Sequence, residues 1–85
     1  MTDIEFDILD ELYFLTSFDE LASNLKEEEN VLIGELQKML NKGWVRCMDD
    51  VSEDVMFTPV ITSENIRKYK YLATKEGLFA HNSRS

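Results

Sequence analysis

The chain is short of almost every residue that marks a specialised small protein. It has one cysteine (Cys47), one histidine (His81), one proline (Pro59) and three glycines. A single cysteine excludes an intramolecular disulfide and fits a reducing compartment. No apolar run approaches the roughly 18 residues that a membrane span requires. Residues 1–14, "MTDIEFDILDELYF", are acidic and lack the basic start of a secretory signal. There is no P-loop, no G-x-G-x-x-G and no zinc-type cysteine spacing. A catalytic cysteine–histidine pair would have to join Cys47 to His81, and a packed thiol with a surface histidine is the simpler reading. The acids Asp49, Asp50, Glu53 and Asp54 lack the alternation and central glycine of an EF-hand loop, so they read as a solvated hairpin loop. The expectation is a cytoplasmic chain that is not an enzyme and holds no cofactor or metal.

Bases are also scarce: nine lysines and arginines against 17 acids leave a net charge of -8. The deficit is uneven. Residues 1–35 hold 11 acids and one base, Lys26, whereas residues 36–85 hold six acids and eight bases. In the stretch 67–85, Arg67, Lys68, Lys70, Lys75 and Arg84 face only Glu76. A phosphate backbone is repelled by acidic surfaces, so a nucleic acid would have to approach the C-terminal part.

What is present is enough apolar sequence for one small domain, 44% of 85 residues. Such a chain buries only about 60–65% of its unfolded surface, so its stability is marginal without a partner. Thr2-x-x-Glu5 is a capping box, after which Ile4, Ile8, Leu12 and Leu15, with Leu9, form a helical stripe; a helix over about 3–16 is expected. Ser17-x-x-Glu20 opens a second helix, about 18–25, with Leu21, Ala22 and Leu25 on one side. A third, about 28–42, carries Leu32, Ile33, Leu36, Met39 and Leu40 on its buried arc and ends before Gly43. The period then changes from helical to alternating. Strands are expected at about 44–49, 55–61 and 68–73, the second confined to an edge or bulge by Pro59. A short helix over 75–81 closes the chain.

Helices followed by a hairpin give an α+β fold: a three-helix core followed by a two- or three-stranded antiparallel β-hairpin. That order, with several local motifs, resembles the winged helix-turn-helix family of small bacterial regulators. "FDELASNL" is similar to the family's short second helix, and "VLIGELQKMLNKGWV" to its recognition helix and exit. "YLATKEG" is similar to the Y-x-L-T-x-x-G that closes the wing, with Ala73 where leucine is usual. The resemblance covers roughly residues 4–79. A helical bundle with a hairpin appendage is the plainer alternative.

The resemblance implies that Val31, Gly34, Glu35, Gln37, Lys38 and Asn41 face a DNA groove, and a basic wing could bind DNA instead through Arg67, Lys68, Lys70 and Lys75. Glutamine and asparagine can read adenine edges, and lysine guanine or phosphate. Against this stand Glu27, Glu28 and Glu29, whose charges offset the helix dipole that would otherwise hold a phosphate. Gly34, which costs up to ~1 kcal/mol relative to alanine inside a helix, marks either a close approach or simple tolerance. The alternative use of the scaffold is a protein interface, for which Phe6 and Tyr13, beside the acidic face of the first helix, are candidates. They could equally pack against the "VMFTPVI" segment or the C-terminal helix. The expected function is a regulatory or adaptor module that binds a protein partner or a second copy of itself. A transcription regulator binding DNA as a dimer through helix 28–42 and the wing is the alternative, disfavoured by net charge.

Overall fold

The computed structural model describes residues 1–49 and 58–84. It shows a small α+β domain of four helices and one three-stranded antiparallel sheet. The first helix, α1 (Asp3–Glu11), starts on the complete capping box. Glu5 N–H donates to Thr2 Oγ1, and Thr2 N–H donates to the Glu5 carboxylate at 2.9 Å. It ends earlier than the apolar stripe suggests. Ala73 N–H donates to the carbonyl of Leu12, and Thr16 Oγ1 donates to the carbonyl of Phe14 at 2.7 Å, so residues 12–15 turn rather than coil onward. Leu15, expected in the core, is therefore 46% exposed.

The turn delivers β1 (Thr16–Ser17), a two-residue strand between the first two helices. Ser17 then caps α2 (Phe18–Leu25), its hydroxyl accepting from Glu20 N–H at 3.2 Å. Lys26, in the left-handed conformation at φ 56, breaks the chain into α3 (Glu29–Lys42). Gly43, at φ 80, ends that helix: its N–H bonds to Leu40, and Trp44 N–H reaches the carbonyl of Met39. Left-handed caps of this kind favour glycine because it has no Cβ to clash. The strands β2 (Val45–Asp49) and β3 (Tyr69–Ala73) follow, the second introduced by a 3-10 turn at Ile66–Lys68. Thr74, with its hydroxyl on Gly77 N–H, caps α4 (Lys75–Ser83).

The sheet order is β1-β3-β2, with Thr16 opposite Tyr71 and Cys47 opposite Tyr71 on the other side. Two sequence expectations need correction here. Helices do not all precede strands, because β1 lies between α1 and α2. The expected strand 55–61 does not supply the third strand: residues 58–61 are not in the sheet, and 55–57 lie outside the described residues. Pro59 explains part of this, since it has no N–H to give a ladder. Residues 58–61 lie instead against α3, with Pro59 and Ile61 buried and Val60 exposed.

One core holds the elements together. Ile8 and Leu9 from α1, with Leu12 just past its end, meet Phe18 and Leu21, then Leu32, Leu36 and Met39. Val45, Cys47, Tyr69, Tyr71 and Ala73 close it from the inner side of the sheet. The Tyr71 hydroxyl, fully enclosed, donates to the carbonyl of Ile66 at 2.8 Å, and burial pushes its pKa out of the working range. α4 packs on α1 and β3, and so close to Trp44, the residue before β2, that a Cβ at Gly77 would lie 2.1 Å from the Trp44 carbonyl oxygen.

Candidate interaction surfaces

The sequence-predicted DNA-facing residues fall into two groups: those already occupied by the protein and those left open. Gln37 is the most committed. Its side-chain amide donates to the carbonyl of Pro59 at 3.1 Å, and its carbonyl oxygen accepts from Ile61 N–H at 2.6 Å. Both polar atoms of the glutamine thus hold the 58–61 segment as a neighbouring strand would. Asn41 also accepts from that amide at 3.2 Å. Lys38 pairs with Glu35 at 3.0 Å, one turn back on the exposed face of α3. Gly34 is exposed, and a Cβ there would meet no described atom within 4 Å, so close approach is not what selects glycine.

Arg67 shows the same commitment. Its guanidinium bridges Asp19 at 2.9 Å and Glu29 at 2.7 Å and lies over the Phe18 ring. The hydrogen bond to Glu29, then that to Asp19, raises its pKa further above an already high value. Arg67 therefore ties the 3-10 turn to the starts of α2 and α3. Lys68 and Lys70 are exposed and make no ion pair with the described residues.

Acid covers the end of α3 that would meet a phosphate. Glu28 is its N-cap, without a side-chain capping bond, and Glu29 is held by Arg67. Glu27 joins Asp3, Ile4, Asp7 and Leu25 in lining a cleft of about 320 Å³ between α1 and the end of α2. Negative charge on either side of a helix N-terminus cancels the partial positive charge that binds anions.

Phe6 and Tyr13 pack against the C-terminal helix. Phe6 stacks on His81, with ring centroids 4.2 Å apart, and Tyr13 meets the same imidazole edge-on at 5.4 Å. His81 Nε2 is 3.1 Å from Asp10, and Nδ1 is 3.3 Å from the Tyr13 hydroxyl. That hydroxyl donates to Asn82 at 3.0 Å, and Arg84 lies over the Phe6 ring while its guanidinium also pairs with Asp3. The histidine expected at the surface is thus nearly enclosed and docks α4 on α1. Cys47 lies in the core, where burial, then Asp49, pushes its thiol pKa up and away from nucleophilic use.

The sequence reading missed the residues that are most open. Phe14 is 81% exposed, beside Leu15, in the turn before β1. Val60 and Phe79 are also largely exposed. A signal for the first pair exists: three consecutive apolar residues, Tyr13-Phe14-Leu15, span about 200° of a helix, more than one buried stripe can absorb.

The clamp at Gln37 makes a specific prediction. Gln37→Ala should free the Ile61 amide and cost about 1–2 kcal/mol for two lost hydrogen bonds to backbone. Gln37→Glu should keep the Ile61 bond and lose the one to Pro59. Amide hydrogen exchange at Ile61 reads both, and unchanged protection in the alanine variant would show that the contact holds nothing in place.

Comparison of the chain with protein-family models, curated proteins and solved structures returned no match.

Proposed function

We propose that this domain is a winged-helix-like module that works without catalysis, by contacts with another protein in a regulatory or adaptor role. The observation that carries the reading is the occupation of the helix and wing residues that a DNA reader would need. Gln37 is spent on Pro59 and Ile61, Lys38 on Glu35, and Arg67 on Asp19 and Glu29. Exposed apolar residues remain at Phe14 and Leu15, where a partner could bury them. The winged-helix element rests on the short α2–α3 turn at Lys26 and on α3 leading into the antiparallel pair β2–β3. The strand between α1 and α2 is the feature on which the expected order and this chain differ.

Lys68 and Lys70, exposed and without an ion pair among the described residues, favour the second reading, a regulator that binds DNA as a dimer. A protein that contacts 6–10 phosphates loses about 10³–10⁵ in affinity between low and moderate salt. The test is fluorescence anisotropy with a random-sequence duplex at low and near-physiological salt, with mass in solution measured alongside. The protein-contact reading expects no binding even at low salt. Micromolar binding that falls steeply with salt would overturn it and establish the regulator.

A further inference from the structure

The two ends of α4 are held differently. Its start is fixed by Thr74 N–H on the Trp44 carbonyl and by the tight approach of Gly77 to the same residue. Its far end meets α1 and the turn after it through His81, Asn82 and Arg84. His81 is the centre of that contact. Its ring is nearly enclosed, stacked on Phe6 at 4.2 Å and met edge-on by Tyr13.

The polar groups about the ring are almost all acceptors. Nε2 is 3.1 Å from a carboxylate oxygen of Asp10, which only accepts. Nδ1 is 3.3 Å from Asn82 Oδ1, a carbonyl oxygen that also only accepts. The Tyr13 oxygen is 3.3 Å from Nδ1 as well, and its one proton is given to Asn82 at 3.0 Å. A neutral imidazole has a single N–H. With that proton on Asp10, the Nδ1 lone pair would face the lone pairs of two oxygens. The doubly protonated ring has a donor for each side, and the stacked Phe6 face attracts a cation. The other charge beside the ring is Arg84, 4.7 Å over Phe6, and its pair with Asp3 offsets it. Among the described residues, the groups facing the imidazole from both helices are thus Asp10, Tyr13, Asn82 and, across Phe6, Arg84.

We propose that His81 is a proton-operated latch: the doubly protonated ring holds the end of α4 on α1, and loss of the Nδ1 proton loosens it and uncovers Phe6 and Tyr13. The inference stands apart from the protein-contact reading. Histidine changes charge between about pH 5 and 8. Docking that favours the protonated ring contributes at the acidic end of that range and is lost as pH rises through it. Glu5, lowered from 4.5 to about 2, acts at lower pH and in the opposite direction, so the two are separable.

The test follows the full chain from about pH 5.5 to about pH 8 by nuclear magnetic resonance. The chain has one histidine, so its ring nitrogens are read without ambiguity. Both should carry protons at the acidic end, and Nε2 alone at the basic end. Amide exchange over residues 79–83, corrected for the intrinsic effect of pH, should quicken about fivefold across the range, the difference between a charged and a neutral hydrogen bond. The sheet amides of Cys47 and Tyr71 should not follow. His81→Gln should abolish the pH dependence, and Asp10→Asn, at an exposed position, should reduce it. Asn82→Asp should enlarge it. The latch is overturned if the neutral ring keeps its proton on Nδ1, if exchange at 79–83 is equal at the two ends, or if the sheet loosens to the same extent. A pH difference that persists in His81→Gln overturns it too. Should that variant not fold, an unchanged difference in Asp10→Asn does so instead.

Discussion

Gly77→Ala is expected to lower the melting temperature by roughly 8–16 °C. The added Cβ would lie 2.1 Å from the carbonyl oxygen of Trp44 and 3.0 Å from Leu9 Cδ2. The oxygen belongs to backbone that cannot swing aside, and it also accepts the Thr74 N–H at 2.9 Å, the bond that anchors the start of α4. Overpacking of this kind costs about 3 kcal/mol at the upper end of the usual range. Alanine returns up to ~1 kcal/mol of helix propensity, leaving a net loss of about 2 kcal/mol. For a domain of this size each kcal/mol moves the midpoint by about 4–8 °C. Gly34→Ala is the internal control, because its Cβ meets no described atom within 4 Å. There the propensity gain of up to ~1 kcal/mol stands alone, and the midpoint should rise. Thermal denaturation by circular dichroism reads both variants; a midpoint for Gly77→Ala at or above that of the parent would show that α4 does not sit on Trp44 as described.

The second large effect is acid sensitivity centred on Glu5. Its side chain is 3% exposed, and it bonds to Lys42 Nζ at 2.7 Å as well as to the start of its own helix. The Lys42 contact, then the Thr2 N–H, lowers its pKa from 4.5 to about 2, although burial alone would raise it. A folded pKa below the unfolded one means stability that is fully present above pH 4.5 and lost as pH falls through 4.5 towards 2. A shift of that size corresponds to at most about 3 kcal/mol, with Lys42 half exposed and partly screened by water. Urea unfolding at pH 7 and pH 3 should show most of that difference, and Glu5→Gln should flatten it. Lys42→Met should destabilise the protein at pH 7 more than Glu5→Gln with Lys42→Met together, since it leaves a buried carboxylate alone. Equal urea midpoints for the parent at the two pH values would remove Glu5 from the account.

Much of the local structure can be read from the chain because it is written locally. Thr2 and Glu5, Ser17 and Glu20, and Gly43 act within a few residues of themselves, and the inward set Tyr69, Tyr71, Ala73 follows from alternation alone. A helical stripe puts Leu15 in the core, because it says nothing of the carbonyl of Leu12 being taken by Ala73, far along the sequence. Thr16–Ser17 is too short to show a period, so the strand that completes the sheet left no signal. The candidate site was least legible. Gln37, Asn41 and Arg67 have the residue types of a reader of nucleic acid, and only the fold reveals what each already holds. In the sequence Phe6 and Tyr13 are aromatic residues beside an acidic face, but their use depends on His81, 75 and 68 positions away.

The order β1-β3-β2 also governs how the chain must assemble. The central strand is the last of the three in sequence, so a chain ending at residue 68 would hold two strands with nothing between them. β1 and β3 are more than fifty residues apart, as their pairing of Thr16 with Tyr71 shows. Closing so long a loop is entropically costly and comes before the contacts that repay it. α1 cannot settle early either, because α4 covers its outer side. On a ribosome, the helices would emerge and wait, with Leu12 and Tyr13 uncovered, until residues 69–83 arrived and the whole domain closed together.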